Sequence, residues 1–218
     1  MSIDRADEAE VRQYILGDPS SRRHSTLLAS LRDARRLTGR NPETGYLESP
    51  ANAGNWLGAL GYFVVLDQIG KVFTDGHPNE VVSALRRFSS PPLSSHQLDS
   101  LYALRCALSH NYSLVNKERS KKQYWRKFRL SDTATEPLVR KAAVEWNGAF
   151  GTTDRREQTS VNLRKFGNLV ERLVSRLKRE LAAGTLDLAL DSAELHDRYG
   201  FRIRSRSPRT TANTLSPP

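Results

Sequence analysis

The segment from Trp56 to Phe73 carries only two charged residues, Asp67 and Lys71, and most of its other residues are apolar. Drawn as a helix, this segment is apolar almost all round, which is typical of a helix covered by neighbours on most sides. Its uncharged part, Trp56 to Leu66, is far shorter than the roughly 20 residues that span a bilayer. The sequence therefore predicts a buried core helix and no membrane contact.

The composition is that of a globular protein with one good-sized core. The chain has 218 residues, of which 38% are hydrophobic and 27% charged. Its single cysteine, Cys106, excludes internal disulfides and multi-cysteine zinc sites, and the histidines show no metal-ligand spacing. The polar N-terminus lacks the apolar stretch of a secretory signal. We therefore expect a cytoplasmic protein without a metal site or other cofactor.

Periodic apolar residues, separated by Pro, Gly and Ser, predict a mainly α protein. The longest of the predicted helices follows a polar loop and carries a narrow apolar stripe that suits either the core or a second copy of the chain. Helices are predicted over residues 4–16, 20–39, 56–73, 79–88, 95–110, 136–147, 161–184 and 187–199.

Residues 111–131 differ in character, because aromatic and β-branched residues flank a charged middle. This pattern predicts a β-hairpin with a basic tip.

The net charge of +10 comes from two basic segments. Residues 117–129 contain seven Lys and Arg against one Glu, and residues 202–218 contain four Arg and no acid. Such segments attract RNA, because contacts between their cations and the phosphates release counterions. A solvated protein face or a solubilising tail has the same composition. The candidate RNA-binding residues are Lys117, Arg119, Lys121, Lys122, Arg126 and Lys127.

The run from Leu101 to Tyr112, LYALRCALSHNY, carries the most specific chemistry in the sequence. Arg105 and His110 are separated by four residues near the predicted end of a helix. This run resembles the signature of the HEPN superfamily, in which an Arg precedes a His near the end of a helix in an all-helical domain. The Tyr two positions after the His is similar to that of HEPN toxins paired with minimal nucleotidyltransferase antitoxins. The family usually has a polar residue directly after the Arg, where this chain has Cys106.

The resemblance implies an up-and-down helical bundle of HEPN type, with the predicted β-hairpin inserted after the motif helix. It also implies metal-independent endoribonuclease activity, in which the RNA 2′-hydroxyl attacks the adjacent phosphorus and leaves a cyclic phosphate. Arg105 would hold phosphate oxygens and His110 would transfer protons, with Asn111 and Tyr112 in supporting positions. We expect a toxin–antitoxin or other defence role, with RNA as substrate and a nucleotidyltransferase antitoxin as a candidate partner.

The resemblance also implies a homodimer, and helix geometry favours the same assembly. Arg105 and His110 are about 140° apart around an ideal helix, so they converge only if the Arg bends or the helix ends near the His. Cleavage needs both an acid and a base, whereas each chain offers one candidate His in the motif. A two-fold dimer would bring two Arg and two His together, with apolar surface supplied by the helix over 56–73 or the helix over 161–184.

A second interpretation is a non-catalytic RNA-binding or protein-interaction module with the same fold. Cys106 favours this interpretation, whereas the intact Arg, His and Tyr favour the ribonuclease. His110 is equally well explained as a protonated imidazole that stabilises the C-terminus of its helix. Asp67 is better interpreted as a partner for an Arg than as a residue of the cleft.

The predicted organisation is an N-terminal segment 1–19, a helical HEPN-like domain 20–184, a C-terminal helix or extension 185–201 and a disordered basic tail 202–218.

Overall fold

The computed structural model describes residues 11, 14–15, 17, 23–74, 79–117, 122–151 and 154–202. Within these residues the chain forms six α-helices and six β-strands. The helices are α1 (Thr26–Leu37), α2 (Trp56–Phe73), α3 (Glu80–Phe88), α4 (Ser95–Asn111), α5 (Leu163–Ala182) and α6 (Ser192–Tyr199). The strands are β1 (Arg23–Ser25), β2 (Val115–Asn116), β3 (Arg126–Ser131), β4 (Val139–Arg140), β5 (Gln158–Asn162) and β6 (Gly200–Arg202).

A four-stranded mixed sheet makes this an α+β fold. Its strand order is β2-β3-β5-β4, in which β3 and β5 are parallel and the two outer pairs are antiparallel. The prediction of an up-and-down helical bundle is therefore wrong. The β2–β3 pair does match the predicted hairpin, but β3 also pairs with β5, so the hairpin is part of a sheet and not an insertion into a bundle.

The predicted helix over 136–147 is also wrong, because this segment forms β4 and a loop. The Glu136 carboxylate accepts hydrogen bonds from Arg129 and Ser131 of β3. The Asn162 side chain donates to the Glu136 carbonyl at 3.4 Å, which ties the segment to the end of β5. The bond from Asn162 gives the Glu136 carbonyl a partner outside a helix.

The helices predicted over 56–73, 79–88 and 95–110 are α2 to α4. Those predicted over 20–39 and 187–199 begin later than predicted, at Thr26 as α1 and at Ser192 as α6. Residues 23–25 form β1, and the Ser25 side chain caps α1. Of the helix predicted over 4–16, residues 11, 14 and 15 are described, and they are helical and buried. The long helix begins at Leu163 and not at Val161, because β5 precedes it and the Asn162 side chain caps it by accepting from the Lys165 N–H at 2.9 Å.

Helix α2 lies at the centre of the core. Helices α1, α3, α4 and α5 all contact it, and 11 of its 18 residues are buried. Tyr62 and Phe63 pack against Phe166 of α5, with ring centroids 6.4 and 4.5 Å apart. This helix is long and apolar enough to cross a membrane, but 61% of it is buried within the fold. Its surroundings are those of the predicted core helix.

A buried ion pair connects α1 to α5. Arg35 donates from Nε and Nη2 to the two carboxylate oxygens of Glu171, at 2.9 and 2.7 Å. The Tyr62 hydroxyl donates to the same carboxylate at 2.8 Å, and burial raises the pKa of this tyrosine. The remaining Arg35 nitrogen donates to the carbonyls of Pro42 and Glu43. This network holds the loop after α1 in place. Its contribution to the free energy of unfolding is small, because the cost of desolvating the two charges offsets most of their attraction.

The predicted extension over 185–201 packs onto the helical core. The Ala189 N–H donates to the Val72 carbonyl at 2.8 Å, and the rings of Tyr199 and Tyr14 are 6.0 Å apart. Strand β6 pairs with β1 in antiparallel register. The first residue of the predicted disordered tail, Arg202, ends this strand, and the rest of that tail lies outside the described residues.

Gly70 provides a test of the α2–α3 packing. A Cβ atom at this position would lie 2.0 Å from the backbone oxygen of Glu80 in α3. We expect Gly70→Ala to lower the free energy of unfolding by about 2 to 3 kcal/mol, because backbone must move to admit the methyl group. Urea denaturation followed by circular dichroism measures this change.

Gly54→Ala is the matched control, because its Cβ would meet Asp132 at an ordinary 3.4 Å. Its effect should stay within about 1 kcal/mol. Equal stability of the two variants would contradict the close helix contact at Gly70.

Candidate functional site

Arg105 extends from the middle of α4 to Asp67 of α2. Its Nε and Nη2 atoms both donate to Asp67 Oδ2, at 3.1 and 3.0 Å. The two side chains remain 27% and 28% exposed, so the pair lies at the solvent edge of the α2–α4 contact. The interpretation of Asp67 as a partner for an Arg is therefore confirmed.

Burial and the charge of the partner have opposite effects on the pKa of each member of this ion pair. Burial raises the pKa of Asp67, and the nearby Arg105 charge cancels only part of that effect. Burial acts to lower the pKa of Arg105, but the Asp67 carboxylate outweighs it and the pKa of Arg105 rises, with a smaller contribution from the buried Cys106 thiol. The guanidinium therefore keeps its charge and its orientation is fixed by Asp67.

The helix that carries the motif does not end between Arg105 and His110. It continues to Asn111, so the two motif residues keep their separation of about 140° around the axis. Arg105 faces α2, whereas His110 is exposed. Of Asn111 the structure describes the backbone and not the side chain. Within one chain the two motif side chains therefore do not converge.

Tyr112 ends the motif helix in the left-handed conformation, with φ of 46° and ψ of 46°. Among the described residues it is the only non-glycine with positive φ. Its N–H donates to the Leu108 carbonyl at 3.1 Å, and its half-exposed ring packs against Trp56 at a centroid distance of 6.0 Å. A left-handed residue costs roughly 1 to 2 kcal/mol, and an aromatic contact offsets part of that cost. The chain therefore turns sharply beside His110.

An apolar stripe lies on the outer side of α2, next to the ion pair. Leu57 and Val64 are 49% and 40% exposed. Seven residues of helix place them within about 20° of each other, and Asp67 lies about 60° further round. Exposed apolar residues that cluster beside a polar pair are typical of an interaction surface.

Two of the predicted RNA-binding residues, Lys117 and Lys122, are exposed beside an aromatic ring. Their Nζ atoms lie 5.2 and 5.7 Å from the Trp125 ring centroid. Phe150 also lies beside Lys117, with 5.1 Å between its ring centroid and Nζ. Trp125 and Phe150 are not among the residues predicted from the sequence, although Trp125 follows the basic run closely enough to have been a signal.

The remaining predicted RNA-binding residues differ in their surroundings. Arg126 is half-buried and donates to the backbone at 2.7 Å. Lys127 is buried and pairs with Glu157 at 3.0 Å, so its ammonium group is engaged within the protein. Arg119 and Lys121 lie outside the described residues.

The sheet that carries these lysines packs along the motif helix. Tyr102 of α4 meets Tyr124 edge to face, with centroids 5.0 Å apart. At the start of α4, burial and then the positive charge of Arg126 lower the pKa of His96. Positively charged side chains therefore lie near the first turn of the motif helix.

Other features of the described residues lie elsewhere. A pocket of about 280 Å³ between the end of α3 and α5 is lined by Arg172, Arg176 and Arg179, and by neither motif residue. In the part of the chain that the structure describes, no group of three or more His, Cys, Asp or Glu side chains is placed to hold a metal ion.

Comparison of this chain with protein-family models, with curated proteins and with solved structures finds no match. The resemblance to HEPN proteins therefore rests on the motif residues themselves.

The Arg105–Asp67 pair makes a pH-dependent prediction. We expect Arg105→Ala to lower the free energy of unfolding near pH 7.5 by about 1 to 3 kcal/mol, because a partly buried carboxylate loses its cation. Arg105 lowers the pKa of Asp67 and burial raises it, so removing Arg105 raises this pKa further above the unfolded value of about 3.9. The cost of the unpaired carboxylate is then present above the folded pKa of the variant and is lost as pH falls through it. The difference from the parent protein should therefore shrink near pH 4.5 in urea denaturation.

The double variant Arg105→Ala with Asp67→Asn is the control for this prediction. Removing both charges should recover most of the lost stability near pH 7.5, because no unpaired carboxylate remains. A loss that is the same at both pH values would show that the Asp67 carboxylate is well solvated without Arg105.

Proposed function

We propose that this protein is an endoribonuclease that cleaves RNA without a metal ion, through Arg105 and His110 acting in a homodimer. The observation that carries the proposal is the position of these two residues. They lie on one uninterrupted helix, α4, which contacts the turn that carries Lys122 and also contacts α2, the helix with the apolar stripe. The lysines can bind a polyanion, and the apolar stripe can contact a second copy of the chain.

The proposed reaction uses groups that the motif provides. One imidazole accepts the proton of the RNA 2′-hydroxyl, whose oxygen then attacks the adjacent phosphorus. The bond from phosphorus to the 5′-oxygen breaks, and a second imidazole gives that oxygen a proton. Arg105, held in its charged form beside Asp67, neutralises the negative charge that develops on the phosphate. The products are a 2′,3′-cyclic phosphate and a 5′-hydroxyl.

A second copy of the chain would complete this site. A single chain offers one motif imidazole, which lies on a different side of α4 from Arg105. The apolar stripe with Leu57 and Val64 borders the ion pair, so contact through it would bring two motif helices together. A stable interface of this kind usually buries about 1,200 to 2,000 Å². A nucleotidyltransferase antitoxin that restrains the dimer in a toxin–antitoxin system remains part of this proposal.

One observation favours a second candidate function, an RNA-binding module without catalysis. The Arg105 guanidinium is engaged by Asp67, and the position after it holds a buried Cys106. Such a protein would bind RNA through the same lysines and leave it intact.

The nuclease proposal predicts cleavage of single-stranded RNA by the purified protein in excess EDTA, with 2′,3′-cyclic phosphate ends. His110→Ala and Arg105→Ala should each lower the rate by about 100-fold or more, because each removes a group that acts in the transition state. His96→Ala, on the same helix, is the matched control and should cleave at the parental rate. Circular dichroism checks that each variant is folded.

Three outcomes separate the alternatives. Normal cleavage by both motif variants would contradict the assignment of Arg105 and His110. Cleavage that requires an added divalent metal would contradict the mechanism. Binding of RNA without any cleavage would support the non-catalytic module.

The dimer predicts that an inactive variant lowers the activity of the parent protein when the two are mixed. Excess His110→Ala protein should reduce cleavage by the parent, because a mixed dimer keeps only one of the two imidazoles that the reaction uses. Val64→Glu should yield a monomer in light scattering, whereas Tyr46→Glu, a control at an exposed aromatic in the loop after α1, should leave the mass unchanged. Full activity of a protein that light scattering shows to be monomeric would contradict a shared site.

A further inference from the structure

Four side chains form a patch of alternating cations and aromatic rings, Lys117, Lys122, Trp125 and Phe150, here called the aromatic–basic surface. The Lys117 ammonium lies 5.2 Å from the Trp125 ring centroid and 5.1 Å from that of Phe150. It also donates to the Gly148 carbonyl at 2.7 Å. Lys122 lies 5.7 Å from the Trp125 ring centroid, and both lysines are exposed.

The loop that presents Phe150 is fitted to the sheet. Trp146 is buried, donates from Nε1 to the Ala149 carbonyl at 2.7 Å, and packs edge-on against Phe150 at 5.7 Å. Gly148 has φ of +88°, and a Cβ there would lie 2.6 Å from the Trp125 ring. Only a glycine therefore lets this loop lie against Trp125. The position of Phe150 is consequently set by several independent contacts.

Phe150 nevertheless remains 68% exposed. A large aromatic side chain that is held in place and yet turned to solvent is typical of a binding surface. Proteins that bind single-stranded nucleic acids combine such rings, on which bases stack, with cations that contact the phosphates. In a duplex the bases stack on each other and do not offer a free face.

We infer that the aromatic–basic surface binds unpaired bases of single-stranded RNA, with Phe150 as the stacking ring, Trp125 as the ring that positions the lysines, and the two lysines on phosphates. This inference rests on the proposed function and names its substrate class as unpaired RNA. Stacking does not depend on which base is present, so the surface selects for single strands and not for sequence. An acidic peptide would satisfy the lysines alone and leaves the exposed ring face without a partner.

The test measures binding in the His110→Ala background, where RNA stays intact. A labelled 12-nucleotide RNA, a duplex of the same sequence and an abasic strand of the same length are titrated by fluorescence anisotropy at several salt concentrations. Phe150→Ala should weaken binding of the single strand by about 5- to 100-fold, as loss of one stacked base does, and leave the salt slope unchanged. On the abasic strand, which has the same charge, this substitution should have no effect.

Lysine variants and controls separate charge from stacking. Lys117→Gln should reduce the magnitude of the salt slope by about 0.7, the value for one phosphate contact on a single strand. Phe150→Leu keeps an apolar side chain without an aromatic face, and should weaken binding nearly as much as Phe150→Ala. Arg172→Gln removes one exposed charge from α5 and should change neither quantity.

Equal binding of the three nucleic acids, unchanged by Phe150→Ala, would overturn the inference and assign the surface to charge alone. Binding of a polyglutamate peptide that weakens in Phe150→Ala as much as RNA binding does would overturn it in favour of an acidic peptide. The nuclease proposal is tested separately with His110 intact. RNA cleavage without stacking at Phe150 would contradict this inference and support the nuclease proposal. Stacking at Phe150 without RNA cleavage would contradict the nuclease proposal and support this inference.

Discussion

Burial of α2 holds the surrounding helices in place, because each of them covers a different side of it. Its glycines admit the closest neighbours, with Gly70 beneath the first turn of α3 and Gly61 against Ala34 of α1. A partly buried carboxylate on such a helix is stabilised by a cation beside it. Asp67 has this cation in Arg105, and the pair connects α2 to the middle of α4. The motif helix thus packs against the central helix of the core.

The helices were largely predictable because their signals are local. Apolar residues at helical spacing and Ser or Asn caps occur within each segment, and α2 to α5 form close to where these signals predict, whereas α1 begins later, after β1. The sheet was not predictable in the same way. Its parallel pair joins residues 127–131 to 158–162, and strands of two to five residues, such as β2, β4 and β5, carry too few side chains for a periodic pattern. Such pairing is set by contacts between distant segments.

In the candidate site, too, the residues with local signals were predictable and those placed by distant contacts were not. Arg105 and His110 are visible in the sequence as a spaced pair on one helix, and an Arg partner for Asp67 was expected, but not which Arg it would be. The meeting of Phe150 with Lys117 depends on the loop between β4 and β5, which was predicted to follow a helix. A residue contributed by a misassigned segment cannot be placed at a site. Aromatic side chains near a basic run are the local signal that would have suggested this surface.

The pairing of β1 with β6 has a mechanical consequence. Arg23 lies opposite Arg202 and Ser25 opposite Gly200, so the chain enters and leaves this two-stranded ladder at the same end. Tension applied between the two strands at that end would break their hydrogen bonds one after another, as in a zipper, and not all together, as in shear. Two-stranded ladders are weak by themselves, so β6 and then α6, with its Tyr199 contact to Tyr14, would detach at low force. The helices around α2 would resist longer, because many apolar contacts there must separate at once.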